Sequence, residues 1–83
     1  MYEEILQNVI DYWKNIIDDE EVEVTSESNL MDDLSLSSLE MLASSMHLEK
    51  EYGIIIPEKY LRRMFTIGDV ASVLTEIMEK SKR

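Results

Sequence analysis

The stretch that decides the architecture is residues 37–53, SSLEMLASSMHLEKEYG, because it contains one complete helix with its start and stop signals. Ser37 followed by Glu40 matches the capping box, in which each side chain bonds the backbone N–H of the other residue. Gly53 suits a helix end, since glycine readily adopts the left-handed conformation found there. These signals predict a helix over residues 38–52. Its apolar side is expected to comprise Leu39, Leu42 and Met46, with Leu48 and Tyr52 on a flank.

Helical patterns also occur on both sides of this segment. Residues 3–17 predict an amphipathic helix, because apolar side chains recur there at helical spacing. That stripe is Ile5, Val9, Trp13 and Ile16. Pro57 suits the first turn of a short helix over residues 57–64. Three apolar side chains in and directly after this short helix are expected to face inward: Leu61, Met64 and Phe65.

A last helix is predicted from Thr66, where Asp69 completes a second capping pattern, towards the basic residues Lys80, Lys82 and Arg83. Residues 22–36 are predicted to form a loop, because their short alternating run has no second strand to pair with. Three leucines of this loop are spaced to reach the core: Leu30, Leu34 and Leu36. The expected fold is therefore all-α. It is a small four-helix bundle, three main helices plus one short helix, with a long loop between helices 1 and 2. Residues 1–83 are expected to form a single domain.

The net charge of −10 excludes several functions. Residues 1–37 contain eleven acidic residues and one lysine, whereas residues 38–83 contain seven residues of each sign. Such a surface disfavours nucleic acid and favours basic partners. The absence of cysteine excludes disulfides. The N-terminus lacks the order of a signal peptide, and the apolar run at residues 54–56 is too short for membrane insertion. We expect a cytoplasmic monomer.

The candidate chemistry is confined to two serines. An enzyme is not expected, because no base accompanies a nucleophile. No metal site is predicted, because His47 has neither a second histidine nor a cysteine to join it. Ser37 is expected to cap the helix, which leaves the Ser38 hydroxyl free in the first turn. A phosphate ester on Ser38 would lie beside unpaired backbone N–H groups and the positive end of the helix dipole. On spacing alone, the simpler interpretation is that both serines serve only as helix-start residues.

Three segments resemble the acyl carrier protein family. Residues 33–40, DLSLSSLE, resemble its attachment motif, an Asp-Leu-Gly-x-Asp-Ser-Leu run that carries the modified serine. Residues 48–57, LEKEYGIIIP, resemble its helix-end signature, and residues 66–70, TIGDV, resemble its final helix start. The approach loop, residues 24–30, also matches in spacing, and the register from 24 to 57 needs no gap. The resemblance thus covers nearly the whole chain.

This resemblance implies a carrier protein rather than a catalyst. Ser38 would receive a covalent 4′-phosphopantetheine arm from a phosphopantetheinyl transferase, and the arm's thiol would hold acyl groups as thioesters. The protein would present them to acyl-transfer and synthase enzymes of fatty-acid or related biosynthesis, which dock through basic patches. The family's docking contacts map to Glu40, Met41, Glu49 and Lys50.

Two departures from the family pattern bear on this implication. Ser37 replaces the usual Asp before the modified serine, and the docking helix is less acidic than usual, which suggests a specialised carrier. A peptidyl, aminoacyl or polyketide carrier would share the arm and differ in cargo. An unmodified acidic helical module that binds a basic partner is a further alternative.

Overall fold

The computed structural model describes residues 1–17 and 20–81, which form four α-helices. These are α1 (Tyr2–Ile17), α2 (Ser38–Tyr52), α3 (Glu58–Leu61) and α4 (Ile67–Ser81). The all-α, four-helix prediction is confirmed, and Lys82 and Arg83 lie outside the described residues. No helix among those described combines the length and the apolar character that crossing a lipid bilayer requires.

The short helix α3 is smaller than the predicted span of residues 57–64. Pro57 is its N-cap, with an extended backbone (φ −61°, ψ 151°), rather than its first helical residue. After Leu61 the backbone bonds change to the i→i−3 pattern: the N–H of Arg63 donates to Tyr60 O, and that of Met64 donates to Leu61 O. This tighter pattern is typical of a helix that ends in turns.

Helices α1 and α4 pack against each other and supply most of the core. The buried side chains of α1 are Ile5, Val9 and Trp13. The buried side chains of α4 are Ile67, Val70, Ala71, Val73, Leu74 and Ile77. The prediction that Ile16 extends the buried stripe of α1 is wrong, because its side chain is exposed. It lies in the last turn, and a stripe position is buried only where another element covers it.

The predicted orientation of α2 is also wrong. Leu39, Leu42 and Met46 are exposed, whereas the helix buries Ser44, Ser45 and Leu48. Apolar residues occur on two sides of α2, so periodicity alone does not distinguish the inner side. The burial of Ser45 is compatible with an apolar neighbourhood because its hydroxyl donates to the carbonyl of Met41 at 3.0 Å.

The connection between α1 and α2 is fixed to the start of α4. The N–H groups of Ile67 and Gly68 donate to the carbonyls of Ser28 and Ser26, at 3.1 and 2.8 Å. The N–H of Leu30 donates to the carbonyl of Phe65 at 2.9 Å. The predicted loop is confirmed for the described residues 22–36, as is the burial of its leucines, Leu30, Leu34 and Leu36.

The predicted capping pattern at the start of α4 is confirmed, but the predicted burial of Phe65 is wrong. The N–H of Thr66 donates to Asp69 Oδ2, and the N–H of Asp69 donates to Thr66 Oγ1, at 3.0 and 3.1 Å. Phe65 is 63% exposed. Its carbonyl accepts from Leu30 and its N–H donates to Asp69 Oδ2, so its backbone is held between loop and helix while its ring points to solvent.

Candidate functional site

The start of α2 is held by a complete capping box. The N–H of Glu40 donates to Ser37 Oγ at 3.2 Å, and the N–H of Ser37 donates to Glu40 Oε1 at 3.1 Å. Ser37 has the extended backbone typical of an N-cap (φ −82°, ψ 167°). The side chain of Ser37 is therefore engaged in holding the helix start, as predicted.

Ser38 is the first residue of α2, and its side chain is exposed. Its hydroxyl makes no hydrogen bond with any of the described residues. The N–H groups of the first helical turn have no acceptors within the helix backbone. That of Glu40 instead donates to the side chain of Ser37 in the capping box. The structure thus distinguishes two adjacent serines: one hydroxyl is bonded to the backbone, and the other is free at the positive end of the helix dipole.

The Ser38 hydroxyl borders an apolar groove, here called the Ser38 groove, of about 310 Å³. The groove lies between α2, the loop before it and the segment around α3, and its lining residues are Met31, Ser38, Met41, Leu42, Ser45, Leu61, Arg62, Met64 and Phe65. Three of its apolar members, Met31, Leu42 and Phe65, are exposed to solvent. Exposed apolar side chains gathered at one place indicate a binding surface.

The charges around the groove are compatible with a phosphate group on Ser38. Arg62 lines the groove, and its only described ion pair, with Glu58 at 3.5 Å, is solvent-exposed and therefore weak. The nearest acid along α2, Glu40, already accepts the N–H of Ser37. The N-cap residue Ser37 is itself uncharged, although the Glu40 carboxylate bonds its N–H. The residues present fit a phosphate ester: a free hydroxyl, unpaired N–H groups and a cation on the same groove.

The four docking residues inferred from the resemblance do not share one side of α2. At about 100° per residue, Glu40 and Glu49 lie about 180° apart around the helix axis, as do Met41 and Lys50. Met41 is half-buried in the Ser38 groove, whereas Lys50 is exposed. Glu49 is half-buried, and its Oε2 accepts the N–H of Ile56 at 2.7 Å.

The outward side of α2 was missed by the sequence reasoning. Leu39 and Met46, which are 77% and 61% exposed, lie there with Leu42 and Lys50. No local signal identified this side, because apolar residues occur on two sides of α2 and the polar pair Ser44 and Ser45 is buried. Met31 and Phe65 carried no such signal, because their position at the groove depends on loop geometry.

His47 lies away from the Ser38 groove. Its ring stacks on Tyr12 with 4.7 Å between the centroids, and its Nε2 lies 3.3 Å from Glu51 Oε2 on the surface. Within residues 1–17 and 20–81, no group of three or more potential metal ligands occurs.

Comparison with known proteins assigns the chain to a family. No protein-family model matches the sequence. The chain is 38% identical over 76 residues to an acyl carrier protein of Clostridium perfringens, which covers 87% of this chain and 100% of that protein. It is 30% identical over 79 residues to the meromycolate extension acyl carrier protein of Mycobacterium tuberculosis, covering 95% of this chain and 69% of the relative.

The fold comparison agrees. The structure of the acyl carrier protein from Enterococcus faecalis is similar with a TM-score of 0.75 and 28% identity, covering 93% of this chain and 98% of that one. Sequence identity over nearly the whole length and the shared helical bundle lead to one conclusion: the chain belongs to the acyl carrier protein family.

Proposed function

We propose that this acyl carrier protein holds its cargo on a 4′-phosphopantetheine arm attached to the oxygen of Ser38. One observation carries the proposal. Of the two serines at the start of α2, Ser37 is engaged in the capping box, whereas Ser38 is exposed with an unbonded hydroxyl. A transferase needs an accessible hydroxyl, and of these two serines Ser38 offers one without disrupting the helix start.

The residues around Ser38 have distinct roles in this proposal. The unpaired N–H groups of the first turn and the helix dipole stabilise the phosphate charge next to Ser38. The capping box keeps that turn formed when the arm is present. When bound, the arm supplies a terminal thiol that holds an acyl group as a thioester. The chain itself contributes no catalytic group to acyl transfer.

The Ser38 groove is the proposed shelter for the apolar part of the cargo. It begins at the attachment residue and is lined mainly by apolar side chains, including Met41, Leu61 and Met64. Methionine side chains are flexible and adapt to apolar chains of different shape. A fatty acyl chain suits this lining better than an aminoacyl or peptidyl cargo, because burying polar groups without partners is unfavourable.

The proposed partners are a phosphopantetheinyl transferase and acyl-transfer or synthase enzymes of fatty-acid or related biosynthesis. We place their docking on α2, where the sequence resemblance suggests Glu40, Met41, Glu49 and Lys50 as contacts. Because these residues lie on opposite sides of the helix, one partner surface would contact only some of them. Because Glu40 and Glu49 already accept backbone N–H groups, basic partner residues would meet carboxylates that are partly satisfied. Electrostatic steering by α2 alone is therefore expected to be weak.

The test is intact-mass spectrometry after incubation with a phosphopantetheinyl transferase and coenzyme A. We expect one added arm on the unchanged chain and on Ser37→Ala, and none on Ser38→Ala. Circular dichroism of Ser38→Ala checks that the variant is folded. An unmodified chain, tested with several transferases, would favour the acidic interaction module instead. An arm on Ser38→Ala that is absent from Ser37→Ala would reverse the assignment of the two serines.

A further inference from the structure

A second groove lies at the opposite end of α2 from Ser38. It is here called the Tyr60 groove. It has a volume of about 530 Å³ and begins at Gly53, directly after the last residue of α2. At about 1.5 Å per residue, the fifteen residues of α2 place it roughly 20 Å from the attachment serine. A partner on the Tyr60 groove would therefore leave Ser38 accessible.

One half of the Tyr60 groove is apolar. Its lining there is Ile54, Ile55, Pro57 and Ile77. Ile55 is 79% exposed, the most exposed of the large apolar side chains in the described part of the chain. An isoleucine so exposed beside other apolar groups indicates a contact that the isolated chain does not make.

The other half is cationic and is built around the buried ring of Tyr60. Lys59 Nζ, Arg63 Cζ and Lys80 Nζ lie 5.2, 5.4 and 5.6 Å from its centroid. A second hollow of about 290 Å³ continues the groove here and adds Arg63 and Glu76 to the lining. Three cations on one ring repel one another, which is unfavourable unless anions join them.

Among the described ion pairs, one supplies such an anion. Glu76 Oε2 pairs with Arg63 Nη1 at 3.0 Å, and the described ion pairs include neither Lys59 nor Lys80. Lys80 Nζ donates to the hydroxyl of Tyr60 at 2.9 Å. That hydrogen bond raises the pKa of Lys80, so its positive charge is secure. Within the described residues the Tyr60 hydroxyl accepts this bond and donates none.

We propose that the Tyr60 groove docks an acidic, amphipathic segment of a partner protein. Apolar side chains of that segment would pack on Ile54, Ile55 and Ile77, and its carboxylates would meet Lys59 and Lys80. This pattern of apolar anchors with charged neighbours is typical of helix-in-groove recognition. The groove is open and shallow, whereas small-molecule sites enclose most of their ligand. Its charge is opposite to that of the acidic N-terminal half.

The overall negative charge does not prevent such docking. The excess of acids lies in residues 1–37, whereas the groove is built from residues 53–80. At physiological ionic strength charges are screened over about 8 Å. Charges that touch the bound segment therefore act on it more strongly than charges more than about 8 Å away. The inference goes beyond the carrier function and does not depend on the arm.

The test is a nitrogen-15 NMR titration of the full chain with a synthetic amphipathic helical peptide of leucine and glutamate. Two control peptides of the same length are compared with it: one has lysine in place of every glutamate, and the other has serine in place of every leucine. We expect amide shifts at Ile54, Ile55, Tyr60 and Lys80 with the first peptide, and binding about tenfold or more weaker with either matched peptide. Ser38→Ala should bind like the unchanged chain, which separates this inference from the attachment site.

Charge-reversal variants sharpen the result. Lys59→Glu and Lys80→Glu should each lower the affinity for the peptide about tenfold. Lys14→Glu, an equal charge change on α1 outside the groove, should leave the affinity unchanged. Lys59 donates no hydrogen bond to Tyr60, so Lys59→Glu remains informative if Lys80→Glu unfolds. Absence of shifts at millimolar peptide, or equal binding of the lysine peptide, overturns the proposal. Lys59-dependent binding to phosphatidylglycerol vesicles without peptide binding would also overturn it. So would amide shifts at the groove residues when the concentration of the chain alone is raised.

Discussion

Glu49 Oε2 accepts the backbone N–H of Ile56 at 2.7 Å, which joins the last turn of α2 to the segment that leads into α3. Ile56 is buried, so its N–H has little access to water. A residue proposed for docking from the sequence resemblance is therefore also a structural residue here. Changes at this position affect the fold as well as any partner.

The first prediction concerns this bond. Glu49→Ala should lower the free energy of unfolding by about 2 kcal/mol, because it leaves a buried N–H without an acceptor. Lys50→Ala, the exposed neighbour, should change it by less than about 0.5 kcal/mol. Urea denaturation followed by circular dichroism measures both. Equal effects of the two substitutions would mean that the bond contributes little.

The second prediction concerns the orientation of α2. Leu39→Ser should change the free energy of unfolding by less than about 0.5 kcal/mol, because Leu39 is largely exposed. Leu48→Ala should lower it by about 2–4 kcal/mol, because Leu48 is 2% exposed and its loss leaves a cavity. The same denaturation experiment compares them. The reverse order would show that α2 turns its other side to the core.

The third prediction concerns two left-handed residues, Ser35 (φ 57°) and Gly53 (φ 65°). The left-handed conformation costs a non-glycine residue about 1–2 kcal/mol, partly offset by the greater freedom of glycine in the unfolded chain. Ser35→Gly should therefore stabilise the protein by about 0.5 kcal/mol. Gly53→Ala should destabilise it by about 1 kcal/mol, although its Cβ would meet no atom within 4 Å. Thermal unfolding measures both shifts, and shifts of equal sign would contradict this account.

The fourth prediction concerns the cap. Ser37→Ala should lower the free energy of unfolding by about 1 kcal/mol and speed hydrogen exchange at the amide of Glu40, which loses its acceptor. Ser37→Asp, which restores the usual family residue, should retain the cap and its protection. Unchanged exchange at Glu40 in Ser37→Ala would contradict the role given to Ser37.

Local signals in the sequence predicted the parts of the fold that local interactions determine. Ser37 with Glu40, and Thr66 with Asp69, marked two helix starts, because capping involves only neighbouring residues. Gly53 marked a helix end for the same reason. The distinction between Ser37 and Ser38 followed from the first of these caps.

What the sequence could not predict depends on distant contacts. Leu39 and Met46 have the spacing of core residues, yet they face solvent because Leu48 faces the core instead. Phe65 points outward because its carbonyl is bonded to Leu30, thirty-five positions earlier in the chain. The Tyr60 groove likewise combines residues of α3 with residues near the end of α4. No sequence motif indicates that these two segments lie next to each other.

The most direct test of the account locates the arm on the unchanged chain. The protein is treated with a phosphopantetheinyl transferase and coenzyme A, and a peptide spanning residues 33–48 is fragmented by tandem mass spectrometry. The fragment ions should place the entire added mass on Ser38 and leave Ser35, Ser37, Ser44 and Ser45 unmodified. An arm on Ser37, whose hydroxyl accepts the N–H of Glu40, would contradict the account.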